Sequence, residues 1–305
     1  MSKLMPRFDK RYNCELRNGD PRECMSHWRR VARVYDHESH IGEFDVVKCQ
    51  LCGLGFTDPF PSEDTAFLLY ADRISSDFDH SSNSVIERLK DWSAKRQLAS
   101  IKPISNVCSV LDYSTGNGRY AFQAHKLYPS ALVHAVDFPG SPPPLLSREN
   151  SQIKYMSIDS FRYNSQQYDL IILRHVLEHS HHPVDLIHDL AMRLSPKGLL
   201  YIEVPNLDSG CARLFRGSWK GYYVPRHIFH FNLSSLEEAI HSAGLRCSMG
   251  RNEMPLMGNT ISILTGLSIA SPIAKIAGVL LHPIQLLIEA GFRSSSCINA
   301  KCWRG

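Results

Sequence analysis

Along residues 104–250, apolar and polar positions alternate in blocks that predict strand, helix, strand. The runs Val107–Asp112, Leu132–Asp137, Ile153–Ile158, Tyr168–Leu173 and Gly198–Val204 are short and largely apolar. Such runs fit strands of a parallel sheet covered on both faces. Helical spacing falls at Tyr120–Leu127, Val184–Leu194 and Leu233–Ala243. The last has Asn232 or Ser234 as N-cap and Gly244 as its stop. This alternation predicts an α/β fold with right-handed crossovers and helices on both faces of the sheet. The flanks differ. Residues 1–60 hold cysteines, aromatics and turn residues with no long helical period. Residues 61–103 read as a helical linker through SEDTAFLLY and SVIERLKDWSAKRQLASI, each starting at a Ser. Residues 251–305 form an extension with an apolar middle, 261–292, broken by Pro272, Lys275, His282 and Pro283. A clean membrane span needs about 20 uninterrupted apolar residues. Four readings of 261–292 stay open: a peripheral membrane contact, a homodimer contact, a cover over the site, or burial against the protein's own core.

The most specific chemistry lies in VCSVLDYSTGNGRY, residues 107–120. A buried strand ends in Asp112, and a turn with Gly116 and Gly118 opens onto a helix. Glycine lets the backbone turn and approach a ligand closely. The helix N-terminus would point its N–H groups into the site. The turn reads D-x-S-x-G-x-G, which is neither the G-x-G-x-x-G of dinucleotide folds nor a P-loop. It holds no lysine, which suits a ligand without phosphates. Asp137 closes the second strand, where an acid commonly accepts from ribose hydroxyls. Asp159 follows the third strand on the same rim. It is placed to accept from an adenine amine, with Phe161 as an apolar wall.

Composition adds little that is specific. With 43% hydrophobic and 21% charged residues, the 305-residue chain is ordinary for a globular protein. Its net charge of +4 is mild and its basic residues are spread, so there is no strong nucleic-acid signal. Met1–Arg11 lacks the apolar core of a signal peptide, and nine cysteines then argue for a reducing, cytoplasmic compartment, with membrane-peripheral placement left open through 261–292. Cys24-x-x-His27 and Cys49-x-x-Cys52, with a longer spacer between, fit a structural zinc site of Cys₃His type. Cys14 is a substitute ligand.

Taken together, the motifs over Val107–Leu245 resemble the class I S-adenosylmethionine-dependent methyltransferases. VLDYSTGNGRY looks like that family's first motif, with Ser114 where glycine is usual. YDLIILRHVLEHSHHPVDLIHDLAMRLSPKGLLYIEVPN, residues 168–206, resembles the fourth strand, following helix and fifth strand of a bacterial group. CQLCGLGFTDPFP resembles the second knuckle of a zinc ribbon that precedes some of these enzymes; His27 stands where that ribbon usually has a cysteine. The resemblance implies a Rossmann-like parallel-sheet fold with a small N-terminal zinc-ribbon-like module, S-adenosylmethionine as cofactor and zinc as a structural ion. It carries cofactor binding to Asp112, Ser114, Gly116, Gly118, Asp137 and Asp159, and Arg174 stands on the same rim.

Because the sulfonium of this cofactor is already electrophilic, the protein has to align an acceptor and, for a hydroxyl, take its proton. His175 stands just past the fourth strand and suits that role. His175, Glu178 and His179 would share a face if helical. Three readings of the trio stay open: acceptor handling by His175, a divalent cation site, or structural pairing. In WKGYYVPRHIFHFNLSSLEEAIHSAGL, residues 219–245, Tyr222, Tyr223, His227 and His230 are further candidates by position, and Arg226 could meet an acidic substrate. The superfamily's N/D-P-P-Y/F motif for amino nitrogens is absent. The expectation is O- or C-methylation of a sugar or other small hydroxylated metabolite, so the acceptor is a small molecule or glycan. The alternatives are an RNA methyltransferase with a zinc ribbon and a non-catalytic, cofactor-binding scaffold.

Overall fold

The computed structural model describes residues 6–9, 16, 27–70, 85–103, 106–138, 141–147, 152–266 and 272–305. At the N-terminal end, Phe8–Asp9 (β1) pairs antiparallel with Phe60–Pro61 (β5). Trp28–Tyr35 (β2), Glu43–Cys49 (β3) and Gly55–Asp58 (β4) form an antiparallel ribbon with Ala32 opposite Val46 and Val34 opposite Phe44. These four side chains are buried against Trp219, Tyr222, Val224 and Leu256. The described part of 1–60 therefore packs on the rest of the chain and is not free-standing. Its ribbon takes a fourth strand, Phe229–His230, from the far side of the chain. A ribbon this small has too little core of its own and is stabilised by that packing.

The main sheet starts with Ser109–Tyr113 (β6), Leu132–Asp137 (β7), Ile153–Ser157 (β8), Tyr168–Arg174 (β9) and Leu194–Pro205 (β10), all parallel. Phe229–His230 is β11, and Leu245–Asn252 (β12) and Cys297–Arg304 (β13) complete the strands. The order is β12-β13-β10-β9-β6-β7-β8, with β13 antiparallel to both neighbours. The apolar runs seen in the sequence are its centre: Leu111, Leu170, Ile171, Ile172 and Ile202 are fully buried.

Helices Val85–Ile101 (α1), Arg119–Leu127 (α2), Pro144–Ser147 (α3), Ile158–Arg162 (α4), Pro183–Met192 (α5), Gly210–Phe215 (α6), Leu233–Ser242 (α7), Met257–Thr265 (α8) and Pro272–Gly291 (α9) complete the fold. The linker read at 61–103 is helical at α1, whose Ala94, Leu98 and Ile101 join the core, while Ala66–Leu69 makes only a 3₁₀ turn. α1 is fastened to α2 by Arg119, which pairs with Glu87 and, at 2.5 Å, with Asp91. Asn232 caps α7 as expected, accepting from Ser235 N at 2.9 Å.

The domain boundary at 250 does not hold, because residues 297–304 insert between β10 and β12. Buried Cys297, Ala300 and Cys302 alternate there with half-buried Asn299, Lys301 and Trp303. The described residues of 261–292 pack as α8 and α9. Gln285, fully buried, accepts from Leu256 N and Met257 N at 3.1 and 3.2 Å. Glu289, also buried, accepts from Gly210 N at 2.8 Å at the start of α6. Among the described residues no helix is long and apolar enough to cross a membrane.

At the amino ends of the central strands, Asp169 ties β6 to β9 and β10. Its carboxylate accepts from Cys108 N, Ser109 N, Ser109 Oγ and Ser195 Oγ at 2.7–3.1 Å. Those donors outweigh burial and hold its pKa low. Asp169→Ala strands four donors and is expected to cost about 2–4 kcal/mol. Denaturant unfolding checks this, with ligand affinity unchanged because the residue lies at the opposite end from the site.

Candidate active site

The carboxyl ends of β6, β7 and β9 form the rim expected from the sequence. Asp112 pairs with Ile172 and Tyr113 with Leu173, so the segments beginning at Ser114 and Arg174 leave the sheet as neighbours. In the turn, Ser114, Gly116 and Gly118 have φ of +58°, +58° and +81°. The conformation that favours glycine is thus held at Ser114 by a serine, with a backbone cost of about 1 kcal/mol. A Cβ at Gly118 would stand 2.6 Å from Leu146 Cγ, whereas one at Gly116 would meet nothing within 4 Å. Gly118 thus serves packing, and Gly116 keeps the turn open on its outer side.

Asp112 closes this turn from beneath. Its buried carboxylate accepts from Thr115 Oγ1 at 2.5 Å and Ala121 N at 2.9 Å. Burial pushes its pKa up to about 6, against the pull of those two donors. Asp137 accepts from Gly116 N at 2.7 Å and from Phe138 N at 2.8 Å. It is only half-buried, so it keeps a face toward the rim; burial raises its pKa. Asp159 is exposed in the first turn of α4. Phe161 differs from expectation: it is 4% exposed and packs into the core against Tyr113 and Tyr168, so it is no wall of the site.

On the neighbouring strand end sits a charged cluster the sequence reading left out. Glu203, from β10, is 1% exposed. Its carboxylate accepts from Arg174 Nε at 3.1 Å, Tyr201 Oη at 2.8 Å, Asn252 Nδ2 at 2.8 Å and Gln97 Nε2. Burial would raise its pKa, but the Arg174 charge and the His175 ring together hold it well below the usual carboxylate range. Arg174 also stacks on the Tyr120 ring at 4.0 Å. Arg174, assigned to the cofactor from the sequence, is therefore engaged with Glu203 and Tyr120.

His175 has a φ of +53° and donates its backbone N–H to Glu203 O at 2.8 Å. Its ring lies between two carboxylates, with Nε2 3.3 Å from Glu203 Oε1 and Nδ1 3.5 Å from Glu178 Oε1. Burial lowers its pKa, but the two carboxylates outweigh it and the net shift is upward. His175, Glu178 and His179 do not share a regular helix face, because Leu177–His179 is a single 3₁₀ turn.

The second candidate stretch packs beneath. His227 donates Nδ1–H to Gly221 O at 3.0 Å, and burial together with the neighbouring His179 and His230 puts its pKa well below the ordinary value. His230 meets Thr57 Oγ1 at 2.9 Å, while that hydroxyl donates to His227 O at 2.6 Å. Burial takes His230 down to about 3. His230 thus acts as a neutral partner of the N-terminal ribbon. Tyr222 is buried against Trp219. Tyr223 is half-buried beside His179 and His227. Arg226 is 3% exposed and spent within the fold, donating to Ser39 Oγ at 2.5 Å and Leu69 O at 2.9 Å and lying 3.6 Å from Asp36. It cannot reach an acidic substrate.

Of the metal residues read from the sequence, Cys24 lies outside the described residues. Cys49 and Cys52 face one another across a turn closed by Gly53 N→Cys49 O at 3.0 Å. The Cys49 thiol accepts from the N–H groups of Cys52 and Leu51; burial nonetheless raises its pKa. His27 is exposed and forms no compact donor group with the two sulfurs.

Five parallel strands, an antiparallel strand inserted next to the last of them, and a Gly-rich turn facing an acidic strand end define a class I S-adenosylmethionine-dependent methyltransferase. The methyltransferase-domain family matches residues 81–248, and the chain belongs to that family. No curated protein matches the sequence. Among solved structures, the plantazolicin methyltransferase BpumL, in complex with a monoazolic desmethylPZN analog and SAH, is 19% identical. That match covers 79% of this chain and 93% of the other, with a TM-score of 0.48. Coclaurine N-methyltransferase is 13% identical over 74% of each chain, TM-score 0.49. A SAM-dependent methyltransferase from Archaeoglobus fulgidus is 16% identical over 70% of this chain and 93% of the other, TM-score 0.46.

Asp137→Ala is expected to weaken S-adenosylhomocysteine binding about 10- to 100-fold, the loss of one or two charge-assisted hydrogen bonds. Calorimetric titration reads it.

Proposed function

We propose that this enzyme transfers the methyl group to an oxygen of a sugar or other small hydroxylated metabolite, with His175 taking the acceptor's proton. The observation that carries the reading is the placement of His175. Its ring is wedged between Glu203 and Glu178 at the carboxyl end of β9, beside the turn that begins at Ser114. A carboxylate beside each ring nitrogen fixes the imidazole and stabilises the cation that forms when the ring takes the acceptor's proton. As the hydroxyl loses its proton to His175, its oxygen bonds to the methyl carbon; the S–CH₃ electron pair stays on sulfur. Asp137 would hold the ribose hydroxyls, and the open side of Gly116 would accept the cofactor. His227 and His230 sit too deep, and too firmly neutral, to serve as the first proton acceptor. Asp112 orders the turn from beneath it.

The test is incubation of methyl-labelled S-adenosylmethionine with fractionated host extract. Label is expected in small polar or glycan fractions, as methyl ethers. Label confined to RNA would overturn the reading.

The knuckle at Cys49 and Cys52 supports structural zinc. N–H groups aimed at the Cys49 sulfur are what a bound thiolate needs, and a half-site of two adjacent sulfurs suits a tetrahedral ion completed from elsewhere in the chain. Cys49 and Cys52 would hold it with Cys24. Such an ion would stabilise the ribbon and take no part in transfer. Atomic emission is expected to find one zinc per chain in the wild type and none in Cys49→Ser.

A further inference from the structure

We propose that the outer face of α9 docks on the surface of an anionic lipid bilayer. Ile276, Leu280, Ile284 and Leu287 recur at four- and three-residue intervals and form one row along the helix, with Leu286 beside it. All five are exposed, Leu280 and Leu287 by 70% and 73%. Pro283, Ala290 and Gly291 are exposed on the same side. From Ile276 to Gly291 the row runs for about 22 Å.

This polarity is the reverse of a surface helix in water. The polar side chains of the helix point the other way: Gln285 and Glu289 are buried, and His282 is half-buried. Gln285 donates to Met254 O at 2.6 Å, besides accepting from Leu256 N and Met257 N. Glu289 accepts from Gly210 N and Cys211 N at 2.8 and 3.3 Å. These bonds fix the roll of the helix, and Leu281 and Ile288 fill its inner side, so the outer row cannot turn inward. A contiguous apolar face left in water marks an interaction site.

Two observations favour lipid over protein. Interfaces between proteins carry about one hydrogen bond per 100–200 Å². No described side chain on this face has a donor or an acceptor, and hydrocarbon asks for none. The charges at its end are also of one sign. Glu289, the sole acid in α8 and α9, is buried, whereas Arg293 is exposed two residues past α9. Arg213 is exposed on α6, one turn beyond Gly210, where a Cβ would stand 2.9 Å from the Phe292 ring. Two guanidiniums thus flank the end of the row, placed for lipid phosphates. The helix lies along the membrane, its row sunk about 5–10 Å into the headgroup boundary. Docking there also brings the acceptor side toward the bilayer. α8 packs beside α9, and Thr260 of α8 accepts from Lys220 N at 3.3 Å, in the segment that carries Tyr223. The surface stands whatever the acceptor is.

The test is flotation of the full chain with vesicles of phosphatidylcholine and phosphatidylglycerol in equal parts, and with vesicles of phosphatidylcholine alone. Binding to the mixed vesicles is expected, at least about fivefold tighter than to the neutral ones. The double variant Leu280→Glu, Leu287→Glu is expected to weaken it at least about tenfold, and Arg293→Glu about fivefold. Circular dichroism checks folding; if the double variant does not fold, Leu287→Ser serves in its place. Wild-type protein that stays out of both vesicle fractions overturns the proposal. So does equal binding to the two, or a folded Leu variant that floats as the wild type does. Sedimentation velocity without vesicles tests the rival occupant. A dimer that the Leu variants split, with no flotation, assigns the face to a second copy and also overturns the proposal. S-adenosylhomocysteine binding, measured on the same samples, reports separately on the cofactor site.

Discussion

Glu203→Gln is expected to lose about 3 kcal/mol of stability and to slow turnover at the same time. The carboxylate sits in a buried cluster with Arg174, Tyr201, Gln97 and Asn252. Neutralising it leaves the Arg174 guanidinium, 18% exposed, without its carboxylate. An unpaired, partly buried charge costs more than the pair itself contributes. Chemical denaturation of Glu203→Gln, Arg174→Met and the double variant separates the two terms. The double variant is expected to lose clearly less than the sum of the singles, because the charges were balancing each other. Additive losses would show the pair to be uncoupled. Turnover falls because Glu203 also contacts His175 through the ring and through the backbone, so the imidazole loses its anchor.

His175→Ala is expected to lower kcat by about 10²- to 10⁴-fold, the usual span for removing a general base. Affinity for S-adenosylhomocysteine should stay within about twofold, since no cofactor role falls to this ring. The left-handed backbone at φ +53° could disturb an alanine variant for reasons unrelated to the ring. His175→Asn controls for that, because asparagine tolerates this conformation. Equal losses in kcat for Ala and Asn assign the effect to the missing imidazole.

The parts of this fold that could be read from the sequence were those with local signatures. The five central strands are apolar on both faces, and the turn at Ser114–Gly118 carries its own glycines. The rest depended on distant partners. The strand CINAKCWR alternates buried and half-buried residues, yet nothing local says that it inserts beside β10. The strands WRRVARVY and EFDVVKC likewise make sense only once Phe229–His230 and Trp219 cover them. At the site, the sequence placed His175 and Asp137 correctly on the rim. It missed Glu203, although a single acid inside the apolar run LLYIEVP is the kind of buried charge that calls for a partner. It also exposed Arg226 and Phe161, which the fold buries, because neither residue's pattern reveals the Asp36 or Tyr168 it meets.

The central claim is a division of labour: Asp137 and its turn hold the methyl donor, while His175 serves the acceptor. Calorimetric titration of S-adenosylhomocysteine into the wild type, Asp137→Ala and His175→Ala tests it most directly. The wild type and His175→Ala are expected to bind one equivalent with similar affinity, and Asp137→Ala at least about tenfold more weakly. Equal loss of binding in both variants, or no binding by folded wild-type protein, would contradict it.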